Sequence, residues 1–471
     1  MTLVAGVDSS TQSCKIEVRD VDSGELVRSG HRPHPSTSPP RSEQDPSAWW
    51  DALSSLLDEH GHDVAAISIA GQQHGMVVLD EARRVLRHAR LWNDTESAPQ
   101  ADVLVREWGP SRWADTVGSV PVASFTITKL AWLRDTEPDV FARVAHVLLP
   151  HDWLTLQLTG ACVTDRGDAS GTGYWSPISG DYADDALSLV GLDRTVTPTV
   201  LAPGATAGTF GDTAVGAGTG DNMGAALGIG LQEGDVAISL GTSGTVFAVA
   251  GAPTRDASGA VAGFADATGR YLPLACTLNA TKVTDAMARL LNFTRDEFEQ
   301  HALASAPGAG GVALLPYFDG ERTPNLPDAT GTLAGLRTDT EPAQLARAAY
   351  EGVVCGLLDA FDALGAAGVT TDAGRVVVVG GGARSAVYPQ LLADLMQRPV
   401  DVAAAAEYVA RGACVQATAT LSGEDVATVA REWAPSDGRT VDPDPTVDAA
   451  RVRVQYRDLL RRTHPESGDR T

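Results

Sequence analysis

The feature that most constrains this 471-residue chain is a strand–turn–strand pattern that occurs twice. The first copy is GVDSSTQSCKIEV at 6–18, and the second, more than two hundred residues later, is VAISLGTSGTVFAV at 236–249. Each copy places two apolar runs around a short turn of small polar residues, a pattern typical of paired β-strands. The recurrence predicts a duplicated α/β domain, with a boundary near residue 230.

The remaining patterns fit two α/β halves. In the first half we predict a strand at Val64–Ala70, helices at 45–57, 126–133 and 139–149, and a loop or linker at 201–220. In the second half we predict helices near 284–291 and 343–364, a strand at Val376–Val379, and a helix that ends at Met396. Because a run of four valines suits a parallel strand buried on both faces, this strand is expected near the centre of a sheet. The predicted domains are 1–230 and 231–471.

Bulk composition excludes several function classes. Hydrophobic residues make up 43% of the chain and charged residues 20%, as in globular proteins. A net charge of −24 disfavours binding to nucleic acid or to an anionic membrane. Any bound anion must then be held by backbone N–H groups or through a metal ion.

Cysteine spacing and the N-terminus predict a location. The five cysteines are far apart and form no C-x-x-C pair, so we expect neither a disulfide framework nor a zinc site. There is no pattern of a signal peptide and no run of about 18 apolar residues. These observations predict a cytoplasmic protein that does not span a membrane.

The two hairpin turns are candidates for phosphate binding. Ser10 and Thr11 in the first turn, and Gly241–Ser243 in the second, would present hydroxyls and backbone N–H groups without bulky side chains. Ordinary turns have the same composition, and that alternative stays open for each turn alone. Asp8 precedes the first turn, where it could attract phosphates through Mg²⁺ or simply cap the turn.

Asp221, in GTGDNMGAALGIG, is the strongest single candidate for catalysis. A carboxylate at the start of a helix, on a segment rich in glycine, could accept the proton of a hydroxyl that is being phosphorylated. The alternative is a helix N-cap.

Polar pairs also follow two predicted strands. Gln73 and His74 come after Val64–Ala70, and Asn93 and Asp94 follow a strand predicted at 85–91. Strand ends are where open α/β sheets bind ligands, and these side chains suit a polyol. A purely structural role for His74 is the alternative.

The glycines Gly380–Gly382 follow the four-valine strand and precede a helix, where a nucleotide could lie against the backbone. Tight packing of strand on helix would require the same residues.

Taken in order, these motifs resemble one family. GVDSST, AGQQHG at 70–75, LWND at 91–94, GDN at 220–222, LGTSG at 240–244, GERTP at 320–324 and GGGARS at 380–385 are similar to motifs of the FGGY carbohydrate kinases. The resemblance implies the sugar kinase–actin–chaperone ATPase fold, an α/β architecture of two ribonuclease H-like domains with a central inter-domain cleft.

The resemblance also implies roles. Asp221 would be the catalytic base, and Asp8 would act near Mg²⁺ and the phosphates. The implied sugar contacts are Gln73, His74, Asn93, Asp94 and Asn222. The implied nucleotide contacts are Ser10, Thr11, Gly241, Thr242, Ser243, Gly381 and Gly382. Sugar would bind mainly in the N-terminal half and ATP mainly in the C-terminal half, and a homodimer is expected from the family.

The activity that the resemblance implies is ATP-dependent phosphorylation of D-xylulose at O5. L-ribulose, glycerol or gluconate remain alternative substrates. An actin-like ATPase that modifies no sugar is a more distant alternative, against which the polar strand ends count.

Overall fold

The computed structural model describes residues 1–404 and 407–465, so 405–406 and 466–471 of the predicted second domain lie outside the described residues. The chain divides into two units, each made of several segments. The first unit comprises Met1–Gln232, Val249–Leu272 and Glu407–Ala434. The second comprises Glu233–Ala248 and the described residues of 273–404 and 435–465. The chain therefore returns to the first unit twice after residue 232.

The strands of the described residues are, in chain order, β1 (Leu3–Ser9), β2 (Ser13–Asp20), β3 (Leu26–Pro33), β4 (Glu43–Gln44), β5 (Val64–Gly71), β6 (Val77–Leu79), β7 (Ala89–Arg90), β8 (His146–Leu148), β9 (Val163–Asp165), β10 (Trp175–Ser176), β11 (Asp181–Tyr182), β12 (Thr199–Leu201), β13 (Thr206–Phe210), β14 (Thr213–Gly216), β15 (Thr219–Gly220), β16 (Val236–Leu240), β17 (Gly244–Ala248), β18 (Ala262–Ala265), β19 (Tyr271–Thr277), β20 (Ala313–Leu315), β21 (Thr332–Ala334), β22 (Val376–Val379), β23 (Val400–Val402) and β24 (Arg439–Val441).

The α-helices are α1 (Pro46–His60), α2 (Ala98–Trp108), α3 (Pro110–Val117), α4 (Thr126–Thr136), α5 (Pro138–Phe141), α6 (Pro150–Thr159), α7 (Arg166–Ala169), α8 (Asp184–Leu189), α9 (Asp221–Ile229), α10 (Thr281–Leu290), α11 (Arg295–Ala304), α12 (Pro342–Ala366), α13 (Val387–Met396), α14 (Tyr408–Ser422), α15 (Val426–Glu432) and α16 (Ala449–Thr463). Short 3₁₀ turns lie at Arg194–Val196, Ala309–Gly311 and Gly381–Arg384.

The main sheet of the first unit has the strand order β13–β14–β5–β1–β2–β3. β1 is buried along its whole length. It pairs antiparallel with β2, as the first hairpin pattern predicts, and parallel with β5. β5 pairs parallel with β14, and β14 pairs antiparallel with β13. A strand that is buried on both faces reads as a nearly continuous apolar run, as β1 does.

The sheet of the second unit repeats this sequence of pairings. It contains the order β19–β17–β16–β22–β23–β24. β16 pairs antiparallel with β17 and parallel with β22, and β22 pairs parallel with β23, which pairs antiparallel with β24. The four-valine strand β22 is buried throughout, in the central position predicted for it. The repeat predicted from the two hairpins is therefore confirmed at the level of topology.

Of the strand predicted at 85–91 only β7 (Ala89–Arg90) forms, and two further local predictions are wrong. The helix predicted at 139–149 ends after one turn at Phe141, and the chain then forms β8, which pairs with β6. The loop predicted at 201–220 contains β13, β14 and β15, two of which pair with β5. In both cases a neighbouring strand satisfies the backbone and overrides the local pattern.

Close backbone contacts hold α9 in the first unit. A Cβ on Gly228 of α9 would lie 1.9 Å from the carbonyl oxygen of Tyr408, and one on Gly412 of α14 would lie 1.8 Å from the carbonyl oxygen of Gly224. On β1, a Cβ on Gly6 would lie 2.1 Å from the carbonyl oxygen of Ala410. Only glycine allows backbones to approach this closely. α14 therefore packs closely against both α9 and β1.

Among the described residues, no helix combines the length and the apolar character needed to cross a bilayer.

Candidate active site

The sheet of the first unit brings three predicted site segments to one edge. β1 and β5 are parallel, with Ser9 opposite Gly71, and β15 pairs with β5 so that Gly220 is also opposite Gly71. The residues that follow these strands therefore emerge side by side. This register places the first hairpin turn, the Gln73–His74 segment and the start of α9 together, at the carboxyl ends where such sheets bind ligands.

Asp221 is the first residue of α9, and Gly220 is its N-cap, so the N-cap alternative is wrong. Its Oδ1 accepts from the backbone N–H of Asn222 at 2.8 Å and from Nδ2 of Asn222 at 3.0 Å. Burial, followed by the charges of Asp8 and Asp168, raises the pKa of Asp221 from 3.8 to about 7. A carboxyl group with this pKa is suited to act as a general base near neutral pH.

Gln73 presents an unused hydrogen-bond donor beside this carboxylate. Its Oε1 accepts from Nδ2 of Asn222 at 2.8 Å. Its Nε2 is buried and has no hydrogen-bond partner among the described residues. Because a buried amide N–H without a partner costs free energy, a ligand oxygen at this point would satisfy it. The structure thus joins Gln73, Asn222 and Asp221 in one hydrogen-bonded group.

His74 is held in place by aromatic rings and by backbone groups. Its ring stacks on Phe125 at 4.9 Å between centroids and lies 5.6 Å from the ring of Phe264. Its Nδ1 is 2.6 Å from the carbonyl oxygen of Gly171. Its φ of +64° is unusual for a residue other than glycine. This is an ordered, partly buried side chain next to the Gln73 amide.

Asp8 lies at the end of β1 and is 4% exposed. Its Oδ2 is 3.6 Å from Nζ of Lys15, which also pairs with Glu407 at 2.5 Å. Its Oδ1 is buried without a hydrogen-bond partner. Burial raises the pKa of Asp8 to about 6, although the charge of Lys15 acts in the opposite direction.

These properties of Asp8 fit a Mg²⁺ ion. Mg²⁺ in phosphoryl-transfer enzymes is commonly held by one or two carboxylates together with substrate phosphates. The free oxygen of Asp8, beside the first turn, could supply one such ligand directly or through water. Within residues 1–404 and 407–465, no group of three or more His, Cys, Asp or Glu side chains is arranged to hold a metal ion.

The first turn is ordered by its own polar groups. The backbone N–H and the hydroxyl of Ser10 both donate to the carbonyl oxygen of Ser13 at 3.0 Å. The hydroxyl of Thr11 donates to Oε1 of Gln72 at 3.0 Å and accepts from Nε1 of Trp92 at 2.9 Å. The turn is thereby tied to both the strand end of β5 and the LWND segment.

The predicted pair Asn93 and Asp94 have different environments. Oδ1 of Asn93 is buried without a hydrogen-bond partner. Asp94 is fully buried and pairs with the buried Arg90 at 2.6 Å, and its Oδ2 accepts from the backbone N–H of Ser42 at 2.9 Å. These contacts give Asp94 a structural role under the LWND segment. Asn93 is the better candidate for contact with a ligand, and both sugar contacts stay predictions.

In the second unit, the hairpin turn is hydrogen-bonded to the start of α10. The carbonyl oxygen of Gly241 accepts from the backbone N–H of Thr281 at 3.1 Å, and that of Thr242 accepts from Ala280 at 3.1 Å. Thr242 is exposed and Ser243 is partly exposed. The turn is therefore tied to the start of α10.

The glycine run packs against the same turn region. Gly380 has φ of +89°, and a Cβ there would lie 2.7 Å from the carbonyl oxygen of Leu240. A Cβ on Gly382 would lie 2.8 Å from the Cβ of Leu240. Gly381, between these two glycines, is exposed. Tight packing thus explains Gly380 and Gly382, and a nucleotide contact at Gly381 and Gly382 stays a prediction.

Sequence reasoning missed several neighbours of the site. Phe125 and Phe264 form the wall behind His74, and Phe264 belongs to the later segment Val249–Leu272. Lys15 pairs with Asp8. His151 and Asp168 form a buried pair whose carboxylate contributes to the pKa of Asp221. The sequence signal available for that pair was the presence of several aspartates between residues 151 and 168.

Comparison with known proteins decides the family. The model of the N-terminal domain of the FGGY family of carbohydrate kinases matches residues 3–237, and the model of the C-terminal domain matches residues 236–421. The chain belongs to the FGGY family of carbohydrate kinases. The predicted family and the predicted two-domain α/β fold are therefore confirmed.

Individual relatives in the FGGY family span nearly the whole chain. The chain is 49% identical over 452 residues to the xylulose kinase of Streptomyces rubiginosus, covering 93% of this chain and 92% of that protein. It is 39% identical to the crystal structure of xylulose kinase from Bifidobacterium adolescentis, with a TM-score of 0.86, covering 97% of this chain and 99% of that one. The xylulose kinase structure from Rhodospirillum rubrum is 26% identical with a TM-score of 0.89, covering 99% of both chains.

Proposed function

We propose that this FGGY kinase transfers the γ-phosphate of ATP to the O5 hydroxyl of D-xylulose. The observation that carries the proposal is the hydrogen-bonded group of Asp221, Asn222 and Gln73, with a carboxyl group of pKa about 7 next to an unsatisfied amide donor. The name shared by relatives of 49% and 39% identity supports the choice of sugar.

In this proposal Asp221 is the general base. The carboxylate accepts the proton of the sugar hydroxyl as the oxygen attacks the γ-phosphorus in line with the leaving ADP oxygen, so the bond to phosphorus forms as the bond to ADP breaks. The hydrogen bonds from Asn222 orient the carboxylate. General-base assistance of this kind contributes about 10²–10⁴-fold in rate.

The sugar would be bound by groups around Asp221. Nε2 of Gln73 would donate to one sugar oxygen, and Oδ1 of Asn93 would accept from a sugar hydroxyl. The ring of His74, held by Phe125 and Phe264, would offer a contact with a fixed orientation. Side chains that are ordered before binding reduce the entropy lost when the sugar is bound.

The proposed nucleotide contacts are given for each unit by itself. In the first unit, the hydroxyls and N–H groups of Ser10 and Thr11 would donate to phosphate oxygens. In the second unit, Gly241–Ser243 would donate to phosphate oxygens, and Gly381 and Gly382 would lie against the adenosine. Asp8 would hold Mg²⁺, which when bound offsets negative charge on the phosphates. We also propose that the protein is located in the cytoplasm and forms a homodimer.

A panel of sugars tests the proposal. Purified protein is given ATP and Mg²⁺ with D-xylulose, L-ribulose, glycerol or gluconate, and release of ADP is measured. We expect the highest kcat/KM with D-xylulose, and a phosphate ester at O5 when the product is examined by NMR. A higher kcat/KM for another substrate would replace the proposed sugar. ATP hydrolysis at the same rate with and without every sugar would instead favour the actin-like alternative.

A further inference from the structure

A buried cluster of one histidine and three aspartates lies in the first unit, and none of its members is a proposed sugar or nucleotide contact. His151 is fully buried. Its Nδ1 lies 2.8 Å from Oδ2 of Asp168, and its Nε2 lies 3.1 Å from Oδ1 of Asp152 and 3.7 Å from Oδ1 of Asp165. Nδ1 is hydrogen-bonded to Asp168, whereas Nε2 lies close to two carboxylates without a hydrogen-bond partner among the described residues. Three carboxylates around one ring favour its imidazolium form, so we treat the ring as a buried cation.

The electrostatics of the cluster agree with this assignment. Burial lowers the pKa of His151, but Asp152 and Asp168 more than offset this effect and raise it to about 9. Burial raises the pKa of Asp152 to about 7 and that of Asp168 to about 6. Buried ion pairs add little net stability compared with apolar packing, and positional specificity is one use to which they are put. The contacts of this cluster indicate which chain segments it holds in position.

Two glycines make room for His151, and both are on segments that carry proposed catalytic or binding groups. A Cβ on Gly218 would lie 2.3 Å from Cδ2 of the His151 ring, and a Cβ on Gly71 would lie 3.0 Å from the Cβ of His151. Gly71 ends β5 directly before the segment of Gln73. Gly218 lies three residues before Asp221. The ring therefore packs against the segment before Asp221, while the backbone and Cβ of His151 pack against the end of β5.

The Asp168 side of the cluster supports His74. The backbone N–H of His74 faces the carboxylate of Asp168. This N–H and the hydrogen bond from His151 both lower the pKa of Asp168, whereas burial raises it. Nδ1 of His74 contacts the carbonyl oxygen of Gly171, whose own N–H donates to the carbonyl oxygen of Asp168 at 2.9 Å. Because the positive φ of His74 is strained for this residue, it persists only with such support.

The Asp165 side reaches the segment before α9. Oδ2 of Asp165 accepts from the hydroxyl of Thr219 at 3.1 Å and from the backbone N–H of Gly167 at 2.8 Å, while Oδ1 accepts from the backbone N–H of Asp168 at 2.9 Å. Thr219 lies two residues before Asp221. One buried imidazolium is thus linked, through different aspartates, to the segments on both sides of the proposed sugar site.

We propose that His151 is a positioning residue for phosphoryl transfer, whose buried cation holds His74 through Asp168 and holds the Asp221 segment through Gly218 and Asp165. The proposal rests on the proposed function, since it assumes that His74 and Asp221 face the sugar. Displacement of a reacting group by about 1 Å can reduce the rate about 10²-fold. A loss of the cation is therefore expected to reduce both sugar binding and turnover.

The test compares His151→Gln, Asp168→Asn and the double variant, with KM for the sugar, KM for ATP and kcat measured for each. Gln retains a donor but not the charge, and Asn retains the shape of Asp168. We expect each single variant to raise the sugar KM and to lower kcat by about 10–100-fold, with the ATP KM within about twofold. If His151 acts through Asp168, the double variant is expected to resemble the single variants instead of showing the product of their effects.

Leu56→Ala is the matched control. Leu56 is fully buried on α1, where it lies against Gly30 of β3, and its truncation is expected to lower the melting temperature. The control separates a loss of stability from a loss of positioning, because its sugar KM is expected to stay at the wild-type value.

Three results would overturn the proposal: a sugar KM of His151→Gln equal to that of wild type, equal increases in both KM values, or multiplicative effects in the double variant. If His151→Gln does not fold, Asp168→Asn alone decides by the same two KM values. Failure of the proposed function gives a different result, namely a wild-type protein that phosphorylates no sugar.

Discussion

The substitution Asp221→Asn is expected to remove activity and, at alkaline pH, to stabilise the protein. Asn has the size and shape of Asp, and its side-chain oxygen can accept the same two hydrogen bonds from Asn222. The variant therefore changes the charge and the basicity while the contacts are retained. A loss of about 10²–10⁴-fold in kcat is expected, which corresponds to about 3–5 kcal/mol of activation free energy.

The stability effect follows from the raised pKa of Asp221. The carboxyl group titrates at 3.8 when unfolded and at about 7 when folded. Below pH 4 both states are protonated, so the group has no effect. As the pH rises from 4 to 7 the unfolded state loses this proton first, so the folded state is progressively disfavoured, and the cost is constant above 7. The full difference is about 4 kcal/mol, which partial exposure of Asp221 reduces to about 1–3 kcal/mol.

The assay combines kinetics with thermal unfolding at two pH values. The melting temperature of Asp221→Asn should exceed that of wild type by a few °C at pH 8 and by less at pH 5. The wild-type kcat/KM should rise with pH through about 7, because the base must be ionised, and the variant should lack this dependence. Asp58→Asn, at an exposed carboxylate of α1, is the control and should change neither property.

Two results would refute the reasoning about Asp221. A kcat within tenfold of wild type would show that another group is the base. A stability difference that does not grow between pH 5 and pH 8 would show that the carboxyl group is not held in its protonated form by the fold.

Other substitutions test the sugar, metal and nucleotide sites separately. His74→Ala should raise the sugar KM by about tenfold or more while the ATP KM stays within about twofold; equal effects on both would favour a structural role. Asp8→Asn should raise the Mg²⁺ concentration needed for half-maximal rate by about tenfold or more without loss of sugar binding, and an unchanged Mg²⁺ titration would remove Asp8 from the metal site. Gly380→Ala should lower the melting temperature and raise the ATP KM, because φ is +89° and the added Cβ would meet the carbonyl oxygen of Leu240 at 2.7 Å; wild-type values for both would show that the backbone can relax there.

Much of the fold could be predicted because its central strands are marked by composition. The hairpin β1–β2, its counterpart β16–β17 and the valine strand β22 are apolar runs bounded by turn residues. The sequence analysis did not predict β8 and β13–β15, because these strands are short and either mix polar with apolar residues or are rich in Thr, Ala and Gly. Such strands are defined by pairing with β6 and β5, which a local pattern does not contain.

The site shows the same division. Asp8, Gln73 and Asp221 could be found from the sequence because each follows an apolar strand or begins a helix. Their shared edge follows from the parallel pairing of β1, β5 and β15. The contacts of His74 with Phe264 depend on a chain segment that returns to the first unit from far away in the sequence, and no local signal encodes that return.

The glycine contacts between α9 and α14 have a consequence for synthesis of the protein. The helix that begins with Asp221 is complete in the chain by residue 229, yet its close-packed partner is formed by residues 408–422. During translation, the segment bearing the proposed base must therefore wait, with an apolar face uncovered, until nearly the entire polypeptide has left the ribosome. Exposed apolar surface of this kind promotes aggregation, so we expect nascent chains of intermediate length to depend on chaperones more than the finished protein does.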